Sequence, residues 1–164
     1  TVIAEMIMKN SSRLNIDLNV KDYNGRTAFH LACMMGHSVI AEIIIENAAE
    51  LRIDVNRQGY SGGTAFHEAC TQGHLQIAKV IMKNSSKLLI DLNITDSRGK
   101  TAFHRACMFG HTKIVNKMIE QSDSLELDLE AVDNNGKTGY QVAKANDKTD
   151  VVKLIKTKMP SLAV

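Results

Sequence analysis

Tryptophan is absent, proline occurs once, at Pro160, and aromatic residues make up only 4% of the 164 residues. A core built around large rings is thereby excluded, and the 44% hydrophobic content must pack as many small aliphatic contacts. No run of about eighteen apolar residues exists, so the sequence contains no membrane span. Excess charge is lacking too: twenty basic against eighteen acidic side chains leave +2, too near neutral to argue for a nucleic-acid or membrane surface. The opening residues Thr1-Val2-Ile3-Ala4-Glu5 carry neither the basic region nor the small-residue cleavage site of a secretory leader. Cysteine is limited to Cys33, Cys70 and Cys107, spaced 37 residues apart. On neighbouring helices about 8–10 Å apart their Cα atoms are too distant for a disulfide, which needs less than about 7 Å. Free thiols suit a reducing compartment, so the expected location is cytoplasmic or nuclear.

The same spacing governs the rest of the chain. Thr-Ala-Phe-His begins at Thr27, Thr64 and Thr101, and a degraded Thr-Gly-Tyr-Gln begins at Thr138, each 37 residues after the last. A period of this size signals a stacked array in which each unit contacts only its neighbours. Within a unit the local signals repeat. Asn24-Gly25 marks a turn, Thr27 caps a short first helix from Ala28 to about Met35, and Gly36 ends it. A second helix starts near Ser38 and turns Ile40, Ile44 and Ile45 inward. Ile53-Asp54-Val55-Asn56 then reads as a short extended segment.

By these signals residues 1–24 form the back half of a repeat, with Val2 to Lys9 an apolar-faced second helix lacking a partner. Whole repeats follow at 25–61, 62–98 and 99–135. Residues 136–164 form a capping unit, in which Lys144 replaces the cysteine and Lys156 stands at an inward position. The expected fold class is an all-α solenoid of helix-turn-helix units joined by short turn fingers.

Asp22, Gly25, Thr27, His30, Ala32, Gly36, His37 and Ile40, with their equivalents one and two periods later, resemble the ankyrin-repeat pattern over nearly the whole chain. The resemblance implies a curved solenoid, partner proteins bound on the concave face made by fingers and first helices, and no cofactor. Three departures stand out. Ala-Phe replaces the usual Pro-Leu, Gly59 replaces the finger aspartate in the second repeat, and the period is 37 rather than 33. The four extra residues amount to one helical turn. They predict a longer second helix ending in a ladder of Leu14, Leu51, Leu88 and Leu125. The resemblance also implies asparagine hydroxylation, at Asn19, Asn56 and Asn93.

Two chemical readings compete with binding. His30, Cys33 and His37, and their equivalents, have ligand types at short spacing that suggest zinc. Each set, however, offers only three ligands and no regular carboxylate to orient them. Cysteine as a small buried hydrophobe and histidine as a tie between turns explain the pattern better, so neither a metal nor a catalytic site is expected. A nucleic-acid surface of Arg26, Arg57, Arg98, Lys100, Arg105 and Lys137 is interrupted by Asp22, Glu68, Asp96 and Asp133, and lacks a stacking platform.

What differs between repeats marks the contact surface, because packing pins the rest. The candidate partner-binding residues are Tyr23, Arg26, Leu31, Met34 and Met35, then Tyr60, Glu68, Thr71 and Gln72, then Arg98, Lys100, Arg105, Met108 and Phe109. Several are of types enriched at interfaces. Glu68 and Arg105, equivalent positions in adjacent repeats, are expected to pair. Gly59, Gly62 and Gly63 are expected to make the second finger the loosest. The function expected is a non-catalytic protein-interaction module. A structural spacer is the alternative, and a nucleic-acid surface a weaker one. A monomer is expected, with dimerisation through the open N-terminal end as the variant.

Overall fold

The computed structural model describes residues 2–14 and 16–162; Thr1, Asn15, Ala163 and Val164, which the sequence assigns to the terminal units, lie outside them. Helix α1 spans Val2–Leu14. Four pairs follow: α2 (Ala28–Met34) with α3 (Ser38–Asn47), α4 (Ala65–Gln72) with α5 (Leu75–Leu88), α6 (Ala102–Phe109) with α7 (Thr112–Glu120), and α8 (Gly139–Ala145) with α9 (Thr149–Lys158). A short 3-10 turn, Pro160–Leu162, packs on α9. The first helices α2, α4, α6 and α8 stack in one layer, and α1, α3, α5, α7 and α9 in a second. Among the described residues the strand-like pairing is a single antiparallel bridge, Val132 to Thr138, and no helix is long and apolar enough to cross a membrane.

Each first helix starts for the same reason. Thr27, Thr64, Thr101 and Thr138 sit at the N-cap in extended backbone. Three residues on, His30, His67, His104 or Gln141 accepts the cap's own N–H at 3.0–3.2 Å. This is a capping box with histidine in the usual Glu or Gln place. The helices stop where Gly73 and Gly110 turn left-handed, and in the last unit Asp147 does so at φ 56°.

The core lies between the layers. Phe29, Phe66, Phe103 and Tyr140 are buried along the stack, Cys33, Cys70 and Cys107 are fully enclosed, and Ile44, Ile77, Ile81, Ile114 and Met118 close it from the second helices. The array is open at one end. Helix α1 packs on α3, burying Met8 and Ser11, while Val2, Ile3, Met6 and Ile7 are exposed.

The extra turn is more varied than the spacing predicts. Helix α5 runs on to Leu88, but α3 and α7 close at Asn47 and Glu120 and reach Leu51 and Leu125 as consecutive turns. After α7 the hydroxyls of Ser122 and Ser124 bond the carbonyls of Ile119 and Gln121, both at 3.0 Å, yet Ser11 and Ser85 make the equivalent bond to the carbonyls of Met8 and Met82 within continuous helix. The earlier ends of α7, and of α3 at Ala48-Ala49, thus have no local cause in the side chains. Leu51, Leu88 and Leu125 are half-buried against the core, but Leu14 is exposed, so the ladder has three rungs rather than four.

All four segments finish alike. Ile16, Ile53, Ile90 and Leu127 donate to carbonyls five residues back, at 2.8–2.9 Å, the closure of a Schellman motif. Arg52, Leu89 and Glu126 hold the left-handed position at φ 53°, 51° and 51° without being glycine. The segments beyond, expected to be extended, are Asx turns. Asp17, Asp54, Asp91 and Asp128 accept the N–H two residues on at 2.8–3.1 Å, because aspartate mimics a backbone turn.

Candidate functional site

The fingers precede the first helices and are built around a carboxylate. In the first, Asp22 Oδ1 accepts from the N–H groups of Asn24 and Arg26 at 2.9 and 2.8 Å. Asp96 and Asp133 do the same in the third and last. The second finger keeps the backbone bonds, Gly59 N–H to Gly63 and Gly62 N–H to Gly59, both 2.9 Å, but Gly59 has no carboxylate. Successive fingers are then joined along the stack by the N–H groups of Tyr60, Ser97 and Asn134, donating to Asn24, Ser61 and Arg98 at 3.0–3.1 Å. Only glycine fits at Gly62, where φ is 76° and a Cβ would lie 2.6 Å from the Ser97 nitrogen.

Five of the six histidines tie units together in two ladders, while the ring of His37 is exposed and makes no hydrogen bond among the described residues. His30, His67 and His104 point Nε2 at the carbonyls of Gly63, Lys100 and Lys137 at 3.0–3.2 Å. Since Nδ1 accepts from the cap threonine, the tautomer is neutral with the proton on Nε2, donating to the next finger. Burial holds all three below the ordinary imidazole value, against the pull of those carbonyls. In the second ladder His74 and His111 reach back to the carbonyls of Met34 and Thr71 at 3.2 and 2.8 Å. The His111 ring lies over Gly73, where a Cβ would meet it at 2.5 Å.

Burial pushes the Cys33, Cys70 and Cys107 thiols well above their ordinary value. Among the described residues no three His, Cys, Asp or Glu side chains converge to hold a metal.

The charged candidates belong largely to the frame. Arg26 clamps Asp22 through Nη2 and Nε at 2.8 and 3.0 Å and touches the Met34 sulfur at 3.5 Å. Lys100 is buried and bonded to Asp133, so it is not available as a contact residue. Burial raises the Asp133 carboxyl, but the Lys100 ammonium and the N–H groups of Lys137 and Asn135 outweigh it and bring it down to about 2.

The expected Glu68–Arg105 pair does not form. Arg105 bonds the buried Asp96, Nε to Oδ2 at 2.8 Å, because that carboxylate stands on the finger leading into α6, nine residues before it. Burial raises Asp96 too, yet the N–H groups of Lys100 and Arg98 and the Arg105 guanidinium hold it low. Glu68 makes no ion pair among the described residues, and burial pushes its carboxyl up against the opposing pull of Arg105 and Arg26.

The remaining candidates form the free surface. Tyr23 is 86% exposed, Tyr60 74%, Met35 61% and Phe109 44%. Gln72 and Arg98 are exposed, and Leu31, Met34, Thr71 and Met108 half-buried. Phe109 stacks on His111, ring centroids 6.4 Å apart.

Lys21 was not among the candidates. Its ammonium bonds the Gln58 carbonyl at 2.8 Å and lies 6.0 Å from the Tyr60 ring centroid. The signal was a polar position one residue before the finger, occupied a period later by Gln58, which bonds the Thr95 carbonyl in turn.

Asn19, Asn56 and Asn93 are staples between units. Each amide nitrogen donates to the carbonyl of the left-handed residue in the next unit, Arg52, Leu89 or Glu126, at 2.8–3.0 Å. Each amide oxygen accepts from Asp54, Asp91 or Asp128 at 2.7–2.9 Å. Hydroxylation at these sites would act on a group already engaged at both ends.

The family model described as ankyrin repeats (3 copies) matches residues 3–89 and 82–161. No curated protein matches the chain.

Proposed function

The chain belongs to the ankyrin-repeat family, whose repeats generally mediate protein–protein interactions and are generally non-catalytic, and on that premise we propose that it binds a partner protein along its fingers and first helices. The observation that carries this reading is the set of exposed Tyr23, Met35, Tyr60 and Phe109, all on fingers or at the ends of first helices. Aromatic and methionine side chains are over-represented at interfaces, and a few such anchors supply most of the affinity. Their counterparts at Gln72 and Asn146 are polar, so stacking does not demand them. The three free, enclosed thiols are consistent with a reducing compartment, cytoplasmic or nuclear.

The test compares cross-linking pull-downs from cells with the wild type, a Tyr60→Ala/Met35→Ala/Phe109→Ala variant, and a control Lys79→Ala/Lys83→Ala variant on the second-helix layer. Loss of the same partner band in the first variant alone, at unchanged Tm, is the expected result. Loss in the control alone would move recognition to the second helices. Retention in both would favour a spacer.

A further inference from the structure

The second finger differs from the others at two positions of the period. Where the other units carry Asp22, Asp96 and Asp133 it has Gly59, and where they carry Arg26, Lys100 and Lys137 it has Gly63. In the other units the carboxylates are matched by cations of the chain itself: Arg26 on Asp22, Arg105 on Asp96 and Lys100 on Asp133. The second unit lacks both side chains and places its acidic group on α4 instead, as Glu68, at the position Arg105 holds one period later. The missing side chains leave a 290 Å³ depression between the first two fingers, lined by Asn24, Arg26, Tyr60, Ser61, Gly63 and Glu68.

Two charged side chains line this depression, Arg26 and Glu68. The Arg26 guanidinium is held by Asp22, and the Arg105 guanidinium by Asp96. Glu68, half-buried, has lost part of its hydration and feels Arg105 and Arg26 only at a distance, with no ion-pair partner among the described residues. Lys21 lies outside this lining, its ammonium donating to the Gln58 carbonyl and lying 6.0 Å from the Tyr60 ring centroid. The Tyr60 ring, largely exposed, offers a face along which an aliphatic stem or a guanidinium can lie.

We propose that this depression seats a lysine or arginine side chain of the bound partner, its charge meeting Glu68 and its stem lying along Tyr60. The inference rests on the finger and first-helix face being the binding surface and specifies what the partner must bring to it. A cation from outside completes in the second unit what Arg26 and Lys100 complete from within elsewhere. A partly desolvated carboxylate repays such a partner better than an exposed one. An acidic side chain arriving at the same place would meet an uncompensated carboxylate, so the site also discriminates.

The experiment uses a random peptide library displayed on phage, selected on the wild-type chain, with the enriched peptides synthesised and titrated. The enriched peptides should share a lysine or arginine, and replacing it by norleucine or citrulline should weaken binding about tenfold. Glu68→Gln should cost the same peptides about as much and make them indifferent to that replacement. Gly63→Arg should block binding by installing the first unit's own cation. The backbone accepts a side chain there, since a Cβ on Gly63 meets nothing nearer than 3.5 Å.

Peptides without a basic residue would overturn the proposal. So would binding that ignores Glu68→Gln and Gly63→Arg yet is lost on Tyr60→Ala or Phe109→Ala, an outcome that leaves the binding face itself intact. Binding indifferent to all four, or no enrichment at all, overturns both the seat and the face.

Discussion

Replacing Leu89 by glycine should stabilise the fold. Leu89 ends α5 in the left-handed region, at φ 51° and ψ 42°, where the Cβ of an L-residue crowds the following carbonyl at a cost of roughly 1–2 kcal/mol. Glycine removes that cost but gives back about 0.4–1 kcal/mol through the greater freedom of the unfolded chain. The leucine side chain is 83% exposed, so its deletion forfeits little burial. The carbonyl that accepts from the Asn56 amide is backbone and survives the change. The net gain is about 0.5–1 kcal/mol, or about 1–4 °C in Tm for a chain of this size.

Urea unfolding followed by circular dichroism measures the effect, with two controls. Leu89→Ala keeps the Cβ and should be near neutral. Lys87→Gly, in ordinary helical backbone two residues earlier, should cost about 1 kcal/mol. If Leu89→Gly proves less stable than Leu89→Ala, the left-handed strain is not a term in the stability and the reasoning fails. Arg52 and Glu126 hold the same conformation in separate units, so glycine at all three should add.

Asn56→Ala removes both bonds of one inter-unit staple and should cost about 1–2 kcal/mol in the same assay, whereas Asn93→Ser, with a side chain too short to span both groups, should lose nearly as much. Acidification should weaken the fold in two stages. His30, His67 and His104 are held low by burial, so the unfolded chain binds protons first. Their contribution is complete above about pH 6.5 and falls as pH drops from there through their depressed native values. His67→Gln, which gives the second unit the residue that Gln141 supplies in the last, should lessen that first stage in urea midpoints taken across pH 7.5 to 5.5, His30 and His104 supplying the remainder. Below about pH 4 the aspartates follow, Asp133 last at about 2. Finally, Gly59→Asp alone should gain little, because an aspartate there stands against Glu68. Combined with Glu68→Arg it rebuilds the Asp96–Arg105 pair, and a double-mutant cycle should show favourable coupling.

The period, the capping threonines, the histidine ties and the enclosed cysteines were legible because each recurs at the same phase. A residue repeated every 37 positions in a stack meets the same neighbours every time. The Glu68–Arg105 expectation failed for the complementary reason. Distance between equivalent positions made the pair reachable, but the carboxylate of Asp96, buried on the finger leading into α6, is the nearer competitor. Lys100 was misplaced likewise: the sequence marks it as variable, yet its partner Asp133 lies 33 residues on, in the next finger. The ends of the second helices were only half legible. Leucine at each end marks where the segment finishes, but no residue pattern in the turn separates the path that stays helical from those that do not, since Ser85 makes inside α5 the hydroxyl bond that Ser122 makes after α7.

The absence of aspartate at Gly59 and the presence of Glu68 are one feature. In the third unit the finger aspartate and the first-helix arginine occupy positions that meet. Reversing the sign on the helix makes a carboxylate on the finger repulsive, and glycine is the residue that withdraws it. Withdrawal costs the finger the two N–H bonds that Asp22 accepts in the first unit, which leaves the turn held by backbone bonds and by Gln58, whose amide reaches the Gly62 carbonyl at 2.6 Å. The finger that lacks its carboxylate therefore adjoins a half-buried carboxylate that has no ion-pair partner among the described residues. A partner that supplies a cation and packs on Tyr60 stabilises both together, so amide exchange in residues 59–63 should slow on binding more than in any other finger, while Glu68→Gln, which removes the charge and leaves the finger as it is, should abolish that difference.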